Sequence, residues 1–207
     1  MIRQRTHPAA TQGTTRLEAF TDGVFAIAAT LLVLDLTSHA FGEISSDAEM
    51  WAALSGMWEL FLNFGLSFVL LCLLWMTHVQ QFEHIARVDA TLVWLNNGRL
   101  LFIVLVPFAT GLTTEYSEWL AGRLMMPVAF FLAILFSWLQ WIWAVRRRAT
   151  MLPDLSDDDA RAYGRAALSA VIISALVVAL APFIGSPAFL LFFFDGILTK
   201  ALRGKGD

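Results

Sequence analysis

Residues 16–36, RLEAFTDGVFAIAATLLVLDL, combine a short polar signature with a long apolar run. Within the run, Ile27, Leu31 and Leu34 recur at spacings of four and three residues. At about 100° per residue, this spacing places the three side chains in one stripe of an α-helix, with Thr30 at the edge of the stripe. Such a stripe is typical either of a seam packed against other helices or of the wall of a narrow pore.

The composition identifies an integral membrane protein. Hydrophobic residues make up 58% of the 207 positions, charged residues only 15%, and the mean hydropathy is +0.67. Aromatic residues reach 13%, which suits lipid-facing and interfacial surfaces. The single cysteine, Cys72, excludes a disulfide within one chain and a cysteine-based zinc site, and we expect it to be a small buried residue.

The sequence predicts six transmembrane helices, because a bilayer core of about 30 Å needs about 20 apolar residues per helix. The sixth predicted span is short and carries Asp195, so the sequence leaves open whether it crosses the whole bilayer. The predicted spans are residues 17–37, 54–80, 90–112, 119–145, 163–184 and 187–203. Together they form a predicted channel-type domain over residues 16–203, between a disordered N-terminal tail (1–15) and a short C-terminal tail (204–207).

The basic residues predict the orientation of the spans. Twelve of the fourteen Lys and Arg lie at the two termini or in the loops after the second and fourth spans, whereas the opposite loops hold five acidic residues and only Arg123. The positive-inside rule then places both termini in the cytoplasm of a cell-membrane protein. By the same rule the run Arg146–Arg148 is a juxtamembrane signal, so no nucleic-acid partner is expected.

Several ionisable residues fall inside the predicted spans, where each needs a partner. Asp22 lies about 140° around the first helix from Ile27, so it is expected to face neighbouring helices. His78 could relay protons or bind a metal, but a hydrogen-bonded structural role suits a lone histidine better. No nucleophile motif or phosphate-binding glycine loop occurs, and we expect neither an enzyme nor a cofactor.

The polar signature of the first span carries a family resemblance. Arg16-x-x-x-Phe20-Thr21-Asp22 resembles the R-x-x-x-F-S-D motif of the transmembrane protein 175 family, with a threonine that keeps the hydroxyl of the family's serine. The resemblance covers roughly the first 110 residues. It continues through Trp75, His78, Phe82, Asp89, Leu95-Asn96 and Pro107-Phe108.

The resemblance implies a homotetramer in which the first helix of each chain lines a central pore, because the signature occurs convincingly only once. By motif position Ile27 corresponds to the narrowest apolar constriction, and Leu31 and Leu34 to the next pore-facing turns. Thr30 matches a position implicated in potassium preference. The polar network that anchors the pore helix is expected to consist of Arg16, Phe20, Thr21, Asp22, Trp75, His78 and Asn96.

The implied function is a potassium-preferring cation channel that conducts passively through a hydrophobic constriction. Its expected partners are membrane lipid, further copies of the chain and potassium ions, which would be the only metal and would pass transiently through the pore. Two alternatives stay open. One is a proton channel or proton-coupled carrier that uses His78, Asp22 and Arg99 as a relay. The other is a non-conducting assembly subunit in which the apolar stripe is a seam between helices.

Overall fold

The computed structural model describes residues 12–37 and 43–201, and nearly all of them are helical. The predicted tails fall largely or wholly outside these ranges. The helices are α1 (Thr15–Thr37), α2 (Asp47–Gly56), α3 (Trp58–Phe82), α4 (Ala90–Glu115), α5 (Leu120–Arg146), α6 (Arg148–Met151), α7 (Asp157–Ile184), a 3₁₀ segment (Ser186–Phe194) and α8 (Asp195–Ala201).

Five of these helices, α1, α3, α4, α5 and α7, are long and apolar enough to cross a membrane. They match the first five predicted spans, and the prediction of an all-α membrane protein is confirmed. α1 packs against α3 and α4, while α5 packs between α4 and α7. The main core lies where these helices meet, and Leu32, Leu71, Ile103 and Phe130 are almost completely buried in it.

The sixth predicted span differs from a regular helix. α7 ends at Ile184 and is followed by Gly185, whose φ of 66° is a conformation that suits glycine. Pro187 then lacks the N–H that a continuing helix needs. The chain continues as nine residues of 3₁₀-helix and seven of α-helix. Because a 3₁₀-helix rises about 2.0 Å per residue against 1.5 Å in an α-helix, the lengths of the two segments add up to about 28 Å, close to the thickness of a bilayer core.

Backbone hydrogen bonds join the connecting segments at one end of the bundle. Gln12 and Val88 exchange two N–H···O bonds of 2.9 Å, and the N–H of Ala86 donates to the carbonyl of Met151 at 2.8 Å. These bonds tie the segment before α1 to the α3–α4 and α5–α7 connections. The predicted basic regions near Arg16, Arg87 and Arg146–Arg148 therefore share one end of the molecule.

The other end is held by side chains that satisfy helix termini. Arg123 at the start of α5 donates to the carbonyl of Ser117 (2.7 Å) and to that of Pro182 near the end of α7 (2.6 Å). The Thr113 hydroxyl donates to the carbonyl of Gly122 at 2.7 Å. The bond to Pro182 pairs a carbonyl in the last turn of α7, where the helix itself supplies no backbone donor.

Candidate pore face and its polar anchor

One face of α1 is buried within the subunit. Its residues are Leu17, Thr21, Phe25, Ala28 and Leu32, each at most 9% exposed. They are spaced by four, four, three and four positions, which is the period of a helix face. This face fixes α1 against α3 and α4.

A second face of α1 is apolar but is not covered by the rest of the subunit. Ile27 is 61% exposed, Leu31 39% and Leu34 57%, and Phe20 continues the same stripe at 57%. The stripe lies roughly 110° around the helix from the buried face. An apolar stripe of this length next to a well-packed face must meet lipid, another copy of the chain or the lumen of a pore.

Thr30 is exposed beside this stripe. Its hydroxyl donates to the carbonyl oxygen of Ile27 at 2.8 Å. Because the hydroxyl proton is used inside the helix, the lone pairs of its oxygen are what Thr30 can offer to a ligand. Lone pairs of this kind suit a cation.

Asp22 and Trp75 form the first contact of the polar anchor. The indole N–H of Trp75 on α3 donates to a carboxylate oxygen of Asp22 on α1 at 2.8 Å. Both side chains are partly accessible in the single subunit. The predicted orientation of Asp22 toward a neighbouring helix agrees with this contact.

Thr21 and Asn96 form the second contact, and it is completely buried. The Asn96 amide on α4 donates to the hydroxyl of Thr21 at 2.9 Å, and the Asn96 carbonyl accepts from the Gln140 amide on α5 at 3.0 Å. All three residues have 0% exposure. One asparagine therefore links three helices at the level of the signature motif.

His78 and Arg99 form the third contact. The Arg99 guanidinium lies 3.4 Å from Nδ1 of His78 and donates to the carbonyl of Leu74 at 2.6 Å, while its central carbon lies 5.6 Å from the centre of the Phe25 ring. Since a guanidinium only donates, Nδ1 is the acceptor and the histidine proton sits on Nε2. Neither His78 Nε2 nor Arg99 Nε has a partner among the described residues.

Two residues of the expected network do not join it within the described part of the chain. Arg16 is exposed and has no side-chain hydrogen bond or ion pair within residues 12–37 and 43–201. Phe20 lies on the exposed stripe instead. In their place the structure adds Gln140 and Arg99 to the buried contacts. The sequence indicates Arg99, because it is a charged residue within a predicted span, but it contains no motif that points to Gln140.

Asp89, which the resemblance includes, has a local structural role. Its carboxylate accepts the backbone N–H of Leu92 at 2.9 Å and so caps the start of α4. The same carboxylate accepts the indole N–H of Trp143 at 3.1 Å. The described residues contain no group of three or more His, Cys, Asp or Glu side chains that could hold a metal ion.

These features define a multi-pass α-helical membrane protein whose first helix exposes an apolar face beside a buried polar anchor. Residues 16–107 match the family described as endosomal/lysosomal potassium channel TMEM175, which is the family that the signature motif of α1 resembles. The family is one of ion channels rather than of enzymes.

Relatives and solved structures agree with this assignment. A protein named as a potassium channel from Streptomyces collinus is 39% identical over 101 residues, which is 49% of this chain and 48% of that protein. The protein named endosomal/lysosomal proton channel TMEM175 from Danio rerio is 33% identical over 157 residues, or 71% of this chain and 30% of that protein. The chain thus spans about half the length of the bacterial relative and less of the animal one.

The fold of a solved structure matches over nearly the whole chain. It is the crystal structure of a homologue of the lysosomal potassium-selective channel TMEM175 from Chamaesiphon minutus. The TM-score is 0.68 at 26% identity, over 93% of this chain and 98% of that one.

Proposed function

We propose that the protein is a potassium-preferring cation channel in which α1 helices from four copies line a central pore. The observation that carries this proposal is the exposed stripe of Ile27, Leu31 and Leu34 on a helix whose other face is firmly packed. The potassium-channel names of its bacterial relatives support the choice of ion.

The constriction is assigned to Ile27, with Leu31 and Leu34 on the following turns of the same wall. A ring of four isoleucine side chains excludes water when it is narrow, so conduction requires the ring to widen and become wet. Thr30 is assigned to potassium preference, since the lone pairs of its oxygen can replace part of the hydration shell of a cation. The buried contacts of Thr21, Asn96 and His78 are assigned to holding α1 in place.

The proposed setting is the cell membrane, with both termini in the cytoplasm and residues 16–203 as the channel domain. The grouping of the segment before α1 with the α3–α4 and α5–α7 connections at one end supports this orientation. These are the connections that carry most of the positive charge.

The experiment that tests the constriction is the substitution Ile27→Asn, followed by potassium flux from proteoliposomes. An amide side chain at the narrowest ring should let water enter the ring and raise the potassium flux about tenfold or more. A tenfold increase requires the free-energy barrier to ion passage to fall by only about 1.4 kcal/mol. Val33→Asn is the matched control, because Val33 is also exposed on α1 (45%) but lies away from the stripe. Equal flux in the Ile27 variant and the unmodified protein would remove Ile27 from the constriction.

Selectivity is tested at Thr30. Thr30→Ala removes the hydroxyl oxygen and should lower the permeability ratio of potassium to sodium, whereas Thr30→Ser keeps the oxygen and should preserve it. Reversal potentials in mixed potassium and sodium solutions give both ratios. A Thr30→Ala protein with an unchanged ratio assigns the residue to packing.

Proton conduction is the second candidate, because relatives from animals are named proton channels and His78 contacts Arg99 inside the bundle. It predicts a pH change in proteoliposomes that contain no potassium, and loss of that change in His78→Ala. A protein that assembles but passes neither ion at any applied potential would favour the third reading, an assembly subunit.

A further inference from the structure

A cavity of about 410 Å³ lies between α3, α5, α7 and the 3₁₀–α8 segment. No α1 residue is among its lining residues, so it is separate from the stripe assigned to the pore. Its volume falls in the range of pockets that hold small organic ligands. Apolar side chains form most of the wall, including Leu70, Phe130, Ile134 and Phe192.

The carboxylate of Asp195 lies at the polar part of this wall. It is half-buried, and one of its oxygens accepts the hydroxyl proton of Ser169 on α7 at 2.6 Å. The part of the chain that the structure describes brings no Lys, Arg or His within ion-pair distance of it. A carboxylate within the bundle without a cationic partner can bind one supplied from outside the chain.

The hydroxyls on the wall also present acceptors to the cavity. Thr77 donates its proton to the carbonyl of Leu73 at 2.9 Å, and Ser137 donates to the Gln81 side chain at 3.2 Å. Because both protons are already engaged, the lone pairs of these oxygens remain available. With the free oxygen of Asp195 they complement a group that is positively charged and rich in N–H donors.

We propose that this cavity binds an amphiphilic amine, with its ammonium group at Asp195 and its hydrocarbon part along the apolar wall. The charge of Asp195 selects an ammonium head, and charge-assisted hydrogen bonds of this kind are about twice as strong as neutral ones. The mostly apolar lining selects a long hydrocarbon body over a small hydrophilic amine.

Binding is measured with 11-bromoundecylamine on the full chain in phosphatidylcholine nanodiscs, whose lipid carries no N–H donor. Bromine quenches nearby indoles, and Trp138 lines the cavity, so the quenching that disappears in Trp138→Phe reports the site. 11-Bromoundecanol has the same chain without the charge. The amine should quench Trp138 at concentrations at least tenfold lower than the alcohol, and equal potency would overturn the proposal.

Two variants locate the head group and the body. Asp195→Asn should weaken amine binding about tenfold and leave the alcohol unchanged, while the exposed loop variant Asp154→Asn should change neither. Gly196 lines the cavity, and a Cβ there would have no neighbouring atom within 4 Å, so the backbone leaves room for a side chain at this position. Gly196→Phe adds a bulky ring at the cavity wall and should abolish the Trp138 signal. Gly56→Phe is its control, since a Cβ at Gly56 also meets open space.

Either amine quenching that survives Asp195→Asn or quenching that survives Gly196→Phe would contradict the assignment. The second variant keeps the test decisive if the first one does not fold. No ion flow is measured, so the result is independent of the proposed channel function.

Discussion

The buried bonds of Asn96 offer the sharpest test of how α1 is held in place. Asn96 donates to Thr21 on α1 and accepts from Gln140 on α5, and all three side chains are inaccessible. Asn96→Leu keeps a side chain of similar size and removes both bonds. We expect this variant to lower the free energy of unfolding and to loosen α1.

The expected loss is about 2–4 kcal/mol. Each interhelical hydrogen bond in a membrane protein contributes on average about 0.6 kcal/mol, so the two bonds account for about 1 kcal/mol. The Gln140 carbonyl already has no partner among the described residues, and the variant leaves its amide unpaired as well. A buried polar group left without a partner costs about 1–3 kcal/mol. The Thr21 hydroxyl adds no such cost, because it can donate to a carbonyl of its own helix instead.

The assay is unfolding in mixed micelles with increasing dodecyl sulfate, followed by circular dichroism and tryptophan fluorescence. Asn97→Leu is the matched control, because it makes the same chemical change one position away, where Asn97 is only half-buried and has no side-chain hydrogen bond within the described ranges. It should change the free energy by about 0.5 kcal/mol or less. If the two variants lose the same stability, the buried bonds do not hold α1 and the reasoning is wrong.

Two further predictions concern the connections on either side of the spans. At the α4–α5 connection, a Cβ on Gly122 would collide with the backbone oxygen of Tyr116, so Gly122→Ala should lower the free energy of unfolding by about 1–3 kcal/mol in the same assay. Gly164→Ala is the control and should leave it unchanged, because the nearest contact of its Cβ would be 3.6 Å. In the loop before α2, the backbone N–H and the hydroxyl of Ser45 both donate to Glu49, and these bonds lower its pKa below the ordinary 4.5. Ser45→Ala should raise the Glu49 pKa in an NMR titration, and the support that the carboxylate gives to α2 should be present above pH 4.5 and disappear as the pH falls through the lowered pKa.

Most of the fold follows from hydropathy, and the differences have physical reasons. α7 begins at Asp157, several residues before its apolar run, because Ser156 caps it through the N–H of Asp159 at 3.1 Å. Hydropathy marks the membrane and not the polar turns of a helix outside it. α2 is too short and too mixed in composition for a hydropathy signal, although Ser46-x-x-Glu49 is a helix-start signature that indicates it.

The candidate site could be predicted only in part. The stripe of Ile27, Leu31 and Leu34 follows from helical spacing, and the structure shows that the subunit leaves it uncovered. Periodicity cannot reveal which distant helix completes a hydrogen bond, so Gln140 could not be found as the partner of Asn96. The motif groups Phe20 with Thr21 and so predicts both in the network, but neighbouring positions on a helix point about 100° apart.

Cysteine substitution tests the central claim most directly, in a background that lacks Cys72. Cysteines at Ile27, Leu31 and Leu34 should react with a small charged thiol reagent from the aqueous phase and should crosslink between copies of the chain. Cysteines at Ala28 and Leu32, which are buried within the subunit, should do neither. If the three stripe positions are as unreactive as these two and never pair between protomers, α1 does not surround a shared pore.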